Sequence, residues 1–158
     1  MTKSALLAQI ITRLAADLEQ LTSAALATHA EATDEENKAE DKYDTRGLEA
    51  SYLAHGQSKA AEEAAQAVAQ FQALPVRDFA ADEPISLGAL VVLEGRSQSH
   101  YFVGPRAGGT EIEADGQSVL VITPQSPLGR QLMGRKQGDT LAVGTGGTST
   151  TMRIASVS

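Results

Sequence analysis

Small and apolar residues recur at alternating steps of four and three along the first part of the chain. They are Leu7, Ile11, Leu14, Leu18, Leu21, Ala25 and Thr28. This heptad spacing predicts a helix that buries one narrow stripe of side chains, here named the first stripe. The charged residues Lys3, Arg13, Asp17 and Glu19 lie off the stripe, and we expect them to face solvent.

A second stripe follows and stops before Pro75, which cannot continue a helix. It comprises Ala50, Leu53, Gln57, Ala60, Ala64, Ala67, Phe71 and Leu74. Folding it back on the first stripe places Leu14 opposite Ala67 and Leu18 opposite Ala64, so large residues meet alanine. We therefore predict an antiparallel coiled-coil hairpin that turns near residues 36–45, in a monomer. A dimerising coiled coil is the alternative.

The rest of the chain has the pattern of a small α+β domain. A short polar connection spans residues 76–84. Apolar runs at 89–93, 100–103 and 118–122 predict strands, residues 128–133 a short helix, and 141–143 and 152–154 two closing strands. The expected domains are a helical hairpin at 1–75, with an acidic tip near 33–45, a linker at 76–84 and a β-rich domain at 85–158.

Charge and composition exclude several classes of protein. Residues 1–75 hold 12 acids and 6 bases, whereas residues 76–158 hold 8 acids and 7 bases. The acidic half lacks the clustered cations that bind nucleic acid and suits a protein partner with a basic surface. The absence of cysteine excludes disulfides and thiolate zinc sites. With no long apolar run, we expect a cytoplasmic protein that does not bind membranes.

The segment expected at the hairpin tip is the first candidate for chemistry. Its six carboxylates within twelve residues belong to Asp34, Glu35, Glu36, Glu40, Asp41 and Asp44. Composition alone favours a solvated, partly helical charge run with local lysine partners. Carboxylate oxygens are also the ligands that Mg²⁺ prefers, so metal binding is the competing interpretation.

The stretch from Ser126 to Asp139, Ser-Pro-Leu-Gly-Arg-Gln-Leu-Met-Gly-Arg-Lys-Gln-Gly-Asp, closely resembles a known signature. It is similar to that of the C-terminal domain of bacterial Gre transcript-cleavage factors, the GreA/GreB family. The resemblance implies an FKBP-like fold for this domain. It also implies that Ser126, Pro127 and Leu128 contact RNA polymerase, although a helix start that simply packs the core remains the alternative.

The tip also resembles that family, with departures. Glu36-Asn37 matches the family's Glu-Asn pair, and Ala39-Glu40 follows after one inserted residue. The family's aspartate position falls on Thr33, with Asp34 beside it. The resemblance implies that Asp34 and Glu36 assist a second Mg²⁺ within the polymerase, with Glu35, Glu40, Asp41 and Asp44 as reserves. The protein would have no cofactor of its own.

The function implied is that of an accessory factor rather than an enzyme. The hairpin would enter the secondary channel of RNA polymerase and stimulate cleavage of the backtracked RNA 3′ end. Bases along the hairpin are few and scattered, so direct RNA contact is expected to be weak. A channel-binding regulator that does not stimulate cleavage is the first alternative, and a chaperone-like interaction protein is the second.

Overall fold

The computed structural model describes residues 2–33, 46–144 and 147–158, with side chains from residue 2 to 30 and from 55 onward. Its elements follow the order helix, helix, four strands, short helix and two strands. The α+β class and the N-terminal pair of long helices are confirmed. The turn predicted near residues 36–45 lies outside the described residues.

The first stripe is the inward face of helix α1, Lys3–Thr33. All seven of its residues are buried or half-buried, among them Leu14 and Ala25, each 7% exposed. Helix α2, Arg46–Ala73, carries the second stripe, whose described members from Gln57 onward are likewise buried or half-buried. Both heptad predictions are therefore confirmed where side chains are described, whereas the individual pairings across the helices stay predictions.

The chain forms two compact units. One is Ile11–Ala69, and the other combines Met1–Ile10 with Gln70–Ser158. The start of α1 and the end of α2 thus belong to the same unit, as an antiparallel hairpin requires. The domain boundaries predicted at residues 75 and 85 stay predictions.

The second unit is built on a sheet of six strands in the order β3-β4-β2-β1-β6-β5. The strands are β1 Leu90–Glu94, β2 Gln98–Val103, β3 Glu111–Ala114, β4 Gln117–Ile122, β5 Thr140–Val143 and β6 Thr150–Val157. Among the described strands, only β2 and β4 pair in parallel. The sequence analysis missed β3, because two of its four residues are glutamates and glutamate is depleted in strands.

One face of the sheet carries the main core of the domain. Val91, Leu93, Val103 and Ile154 are fully buried there, together with Leu132 of helix α3, Pro127–Leu132. Half-buried Tyr101 and Leu120 pack against this core. Along β2 and β4, every second residue faces this core, which is the period of two expected of strands.

The opposite face of the sheet receives Phe71, at the end of α2. The Phe71 ring stacks on Phe102 of β2, with centroids 6.4 Å apart. A side chain at Gly104 would place its Cβ 2.6 Å from Cζ of Phe71, so only glycine permits this approach. Leu6 and Ile10, which lie off the first stripe, are 2% and 0% exposed in the same unit. The heptad pattern did not predict their burial, because it describes one buried face of α1 and these two residues lie on another.

The connection after α2 is held by a cluster around Phe79, which is itself buried. Lys3 Nζ lies 4.7 Å and the Arg77 guanidinium carbon 3.9 Å from the Phe79 ring centroid, both in cation–π geometry. Lys3 Nζ also donates to the carbonyl of Arg77 at 2.6 Å. The expectation that Lys3 faces solvent is therefore wrong, because Lys3 is half-buried and its ammonium lies over an aromatic ring.

Two pKa values are shifted in this cluster, one by hydrogen bonding and one by burial. A hydrogen bond from Arg77, followed by one from the backbone of Ala80, lowers the pKa of Glu83. Partial burial is the main cause that lowers the pKa of Lys3, and Asp78 opposes it. Glu83 thus favours its ionised form more strongly in the folded protein than in the unfolded chain.

Replacement of Phe71 by alanine is expected to lower the free energy of unfolding by about 3–5 kcal/mol, because a fully buried ring is removed and a cavity remains. Urea unfolding followed by circular dichroism measures the change. Leu26→Ala is the control: Leu26 is 65% exposed, and its truncation should cost less than about 0.5 kcal/mol. Equal losses in the two variants would contradict this account of the fold.

The lowered pKa of Glu83 predicts a pH dependence of stability. Its ionised carboxylate stabilises the fold above the unfolded pKa of 4.5, and that contribution disappears as the pH falls through the lower folded value. Glu83→Gln should therefore reduce stability at about pH 6 and make less difference at about pH 3. Asp82→Asn, one position away, is the matched control for loss of a negative charge. A Glu83→Gln effect that persisted at the lower pH would contradict the prediction.

Candidate functional site

The acidic tip is the candidate site that the sequence placed first. Asp34, Glu35, Glu36, Glu40, Asp41 and Asp44 all lie outside the described residues. Helix α1 reaches Thr33 and helix α2 begins at Arg46, so these acids occupy the connection between the two helices. Their catalytic and Mg²⁺-binding roles stay predictions. Within the described ranges, no group of three or more histidines or acids is suitably placed to hold a metal ion.

The helices leading toward the tip are joined by small and polar side chains. Ala25 and Thr28 are buried on α1. On α2, the Oε1 atom of Gln57 is buried and has no hydrogen-bond partner among the described residues. A buried amide oxygen without a partner costs free energy. This part of the hairpin therefore gains less from packing than the end with Leu7 and Phe71.

The second candidate site is the start of α3. Ser126 is its N-cap, with an extended backbone at φ −65° and ψ 156°. Its Oγ accepts a hydrogen bond from the amide of Gly129 at 3.1 Å and donates one to the carbonyl of Thr123 at 2.7 Å. Pro127 occupies the first helical turn, where its missing N–H costs nothing. Ser126 thus has a structural task in addition to any contact with a partner.

The rest of this short helix packs tightly against Thr123 and the core of the domain. A Cβ atom at Gly129 would lie 1.8 Å from the carbonyl oxygen of Thr123. Leu132 is fully buried and Leu128 packs against the same core. Of the three predicted polymerase contacts, Pro127 is exposed, while Ser126 and Leu128 are half-buried. Core packing of this segment is therefore established, and docking through it stays a prediction.

After α3 the chain is joined to the segment that precedes β1. Gly134 has φ +81° and donates its amide to the carbonyl of Ile85 at 3.0 Å. The amide of Ile85 returns a 2.8 Å bond to the carbonyl of Arg135. The Arg135 side chain donates to the carbonyl of Gln131 at 2.8 Å and to that of Thr140 at 3.0 Å. This arginine therefore connects the end of α3 with the start of β5.

The closing Gly-Asp pair of the signature forms a β-bulge. Gly138, at φ +92°, donates its amide to the carbonyl of Ile154, and the amide of Ile154 donates to the carbonyl of Asp139, both at 2.8 Å. Two residues thus oppose one, with glycine in the left-handed region, which defines a G1 bulge. The Asp139 carboxylate accepts from the amide of Lys136 at 2.9 Å and closes the preceding turn.

A shallow polar cavity of about 420 Å³ opens at the start of β2 and β4. Ser99, His100, Tyr101, Ser118 and Leu120 are among its lining residues. The sequence analysis missed it, because these residues come from two segments that only the parallel pairing of His100 with Val119 brings together. The lining offers hydroxyl, amide and imidazole groups but no carboxylate.

The fold defines a protein with a helical hairpin and an α+β domain. The N-cap Ser126, the close-packed Gly129 and the bulge at Gly138 of that domain all belong to one sequence motif, residues 126–139. Residues 82–158 match the family described as Transcription elongation factor, GreA/GreB, C-term. The C-terminal domain of this chain belongs to that GreA/GreB family.

Solved structures similar to the chain include three of the transcription factor Gfh1. One shares 22% identity at a TM-score of 0.40, covering 93% of this chain and 92% of that one. The GreA factor homolog 1 of Thermus thermophilus shares 19% at 0.39, covering 94% of each chain. Gfh1 of Thermus aquaticus shares 20% at 0.40, covering 92% of each. No curated protein sequence matches this chain significantly. In the described part of the chain, no helix is long and apolar enough to cross a membrane.

Gly129→Ala is expected to destabilise the C-terminal unit strongly, because the new methyl group would overlap the backbone carbonyl of Thr123. A cost above about 2 kcal/mol is expected, since the backbone itself must move. Urea unfolding measures it. Ser126→Ala should cost about 0.5–2 kcal/mol through the lost N-cap. A Gly129→Ala variant as stable as the wild type would show that α3 does not approach Thr123 this closely.

Proposed function

We propose that this protein is a Gre-type elongation factor that binds bacterial RNA polymerase through its secondary channel and stimulates cleavage of backtracked RNA. The observation that carries the proposal is the GreA/GreB C-terminal domain at residues 82–158, preceded in the same chain by two long antiparallel helices. The acids of residues 34–44 lie on the connection between these helices, which is where a channel-inserted hairpin would present them.

The residues of the tip fit an assisting role. Carboxylates are hard oxygen ligands and suit Mg²⁺, which takes few protein ligands at a shared site and needs near-octahedral geometry. When bound, such an ion lowers the pKa of an attacking water and neutralises charge on the leaving oxygen. In this proposal Asp34 and Glu36 would help to hold that ion and to orient the attacking water. The chain alone is not a nuclease, because the remaining ligands come from the polymerase.

In this proposal the second unit binds the polymerase through the start of α3. Pro127 is exposed at the start of α3, with Ser126 and Leu128 partly accessible beside it. Because Ser126 is fixed by two hydrogen bonds and Leu128 by the core, this loop presents a rigid surface to a partner. A rigid docking surface costs less entropy on binding than a mobile one.

A non-cleaving channel regulator is the second candidate, and two sequence observations favour it. The tip acids depart from the family's spacing by one inserted residue, Lys38. Residues 1–75 carry only 6 bases, so the hairpin has few cations for an emerging RNA strand. Such a regulator would occupy the channel and leave the transcript intact.

The test is transcript cleavage in a stalled, backtracked polymerase complex with Mg²⁺, with and without the protein. We expect shortened transcripts, and a loss of at least about tenfold in cleavage rate for Asp34→Ala and Glu36→Ala, because a water-orienting carboxylate is removed. Glu62→Ala and Glu63→Ala are the controls, since both acids are exposed on α2 outside the predicted tip.

The alternatives give different results in the same experiment. Displacement of a known channel-binding protein without any transcript shortening would support the regulator. Suppression of client aggregation with no measurable affinity for polymerase would support a chaperone-like protein and overturn the proposal.

A further inference from the structure

The two edges of the sheet are protected differently. The edge strand β3 carries Glu111 and Glu113 on its exposed positions, and Asp115 follows in the next turn. The other edge strand, β5, has the sequence Thr-Leu-Ala-Val and contains neither a charge nor a proline. Edge strands usually carry such devices, because their unpaired backbone groups otherwise attract another strand.

The register shows which backbone groups of β5 are free. Asp139 is hydrogen-bonded to Ile154 through the bulge, and Leu141 lies opposite Met152. Because bonded and non-bonded pairs alternate in an antiparallel ladder, Leu141 faces β6 and the N–H and C=O groups of Thr140 and Ala142 point outward. Within the described residues, the outward groups of Ala142 have no partner. Both Thr140 and Ala142 are exposed.

Arg135 already occupies one of the outward backbone groups of this edge. Its Nη1 donates to the outward carbonyl of Thr140 at 3.0 Å, while its Nε is held by the carbonyl of Gln131 at 2.8 Å. A carboxylate is a stronger acceptor for guanidinium than a carbonyl is, because the bond is charge-assisted. An incoming strand with an acidic side chain can therefore take over the guanidinium and free the Thr140 carbonyl for pairing. A neutral or basic strand cannot.

The charge around β5 favours the same kind of ligand. Residues 116–158 contain a single acid, Asp139, and four bases, Arg130, Arg135, Lys136 and Arg153. Arg153 pairs with Glu94 at 3.0 Å, and the Asp139 carboxylate accepts from the backbone of Lys136. The acids Glu111, Glu113 and Asp115 lie at the opposite edge of the sheet. The stretch of chain that contains β5 thus carries more bases than acids.

We propose that β5 is a docking edge for an extended acidic segment of a partner protein. The segment adds as a strand beside Thr140 and Ala142, and one of its carboxylates receives the Arg135 guanidinium. Main-chain hydrogen bonds supply the affinity in this mode, and the carboxylate supplies the specificity. Only the identity of the partner, RNA polymerase, rests on the proposed function. Pairing of β5 with β5 of a second copy is disfavoured, because β5 brings no carboxylate.

The test is a titration of the full chain with an acetylated and amidated hexapeptide of three Glu-Val repeats, followed by backbone amide NMR shifts. We expect shifts concentrated at residues 140–143, weakened by salt, and much smaller with the Lys-Val counterpart. Ala142→Pro should weaken binding at least about tenfold, because it removes an outward N–H while leaving the ladder to β6 intact. Ala142→Val keeps the N–H and is the matched control, and Arg135→Gln should abolish the preference for the acidic peptide.

Three results would overturn the proposal: shifts away from β5, equal binding of the two peptides, or equal binding by the proline and valine variants. Self-association of the free chain that Ala142→Pro abolishes would instead identify a second copy as the occupant, most simply through its acidic β3. Polymerase binding of the same variants forms a separate arm. A chain without affinity for polymerase would overturn the proposed function, while the peptide titration would still decide the role of β5.

Discussion

The contact of Phe71 with the sheet is the constraint on which the arrangement of the second unit depends. The ring lies against Phe102 and occupies the space left free at Gly104. Because Phe71 is also a member of the α2 heptad stripe, one side chain serves both a helix–helix stripe and a helix–sheet contact. Leu6 and Ile10 are buried in the same unit. The apolar area at this end explains why residues 1–10 group with the sheet rather than with the rest of α1.

The signature of residues 126–139 has a structural explanation at most of its positions. Ser126 caps α3, Gly129 avoids Thr123, Arg135 joins α3 to β5, and Gly138 forms the bulge. Such a motif identifies the domain because the fold tolerates few alternatives at these places. It does not by itself locate the binding surface. Pro127 begins α3 and its side chain is exposed, so it is a residue of the motif that a partner could contact directly.

Heptad spacing predicted both helices, and short apolar runs bounded by turn residues predicted five of the six described strands. The search for apolar runs failed for β3, where Glu111 and Glu113 hide a strand whose inward residues, Ile112 and Ala114, are few. The prediction that Lys3 faces solvent was also wrong, because its contact with Phe79 joins two residues far apart in the chain. The tip acids could be predicted as a group from composition and resemblance. Which of them act depends on geometry that spacing does not contain.

The position of β6 has a consequence for how the domain is made. It follows every other element in the chain, yet it lies inside the sheet between β1 and β5. On a ribosome, β1 to β4 can pair as they emerge, but β5 has no neighbour until β6 is synthesised. Val91 of β1 and Leu141 of β5 both lie opposite residues of β6. Nascent chains paused before β6 would therefore expose the open edge of β1 and an unpaired β5, and such chains are the ones most in need of a chaperone.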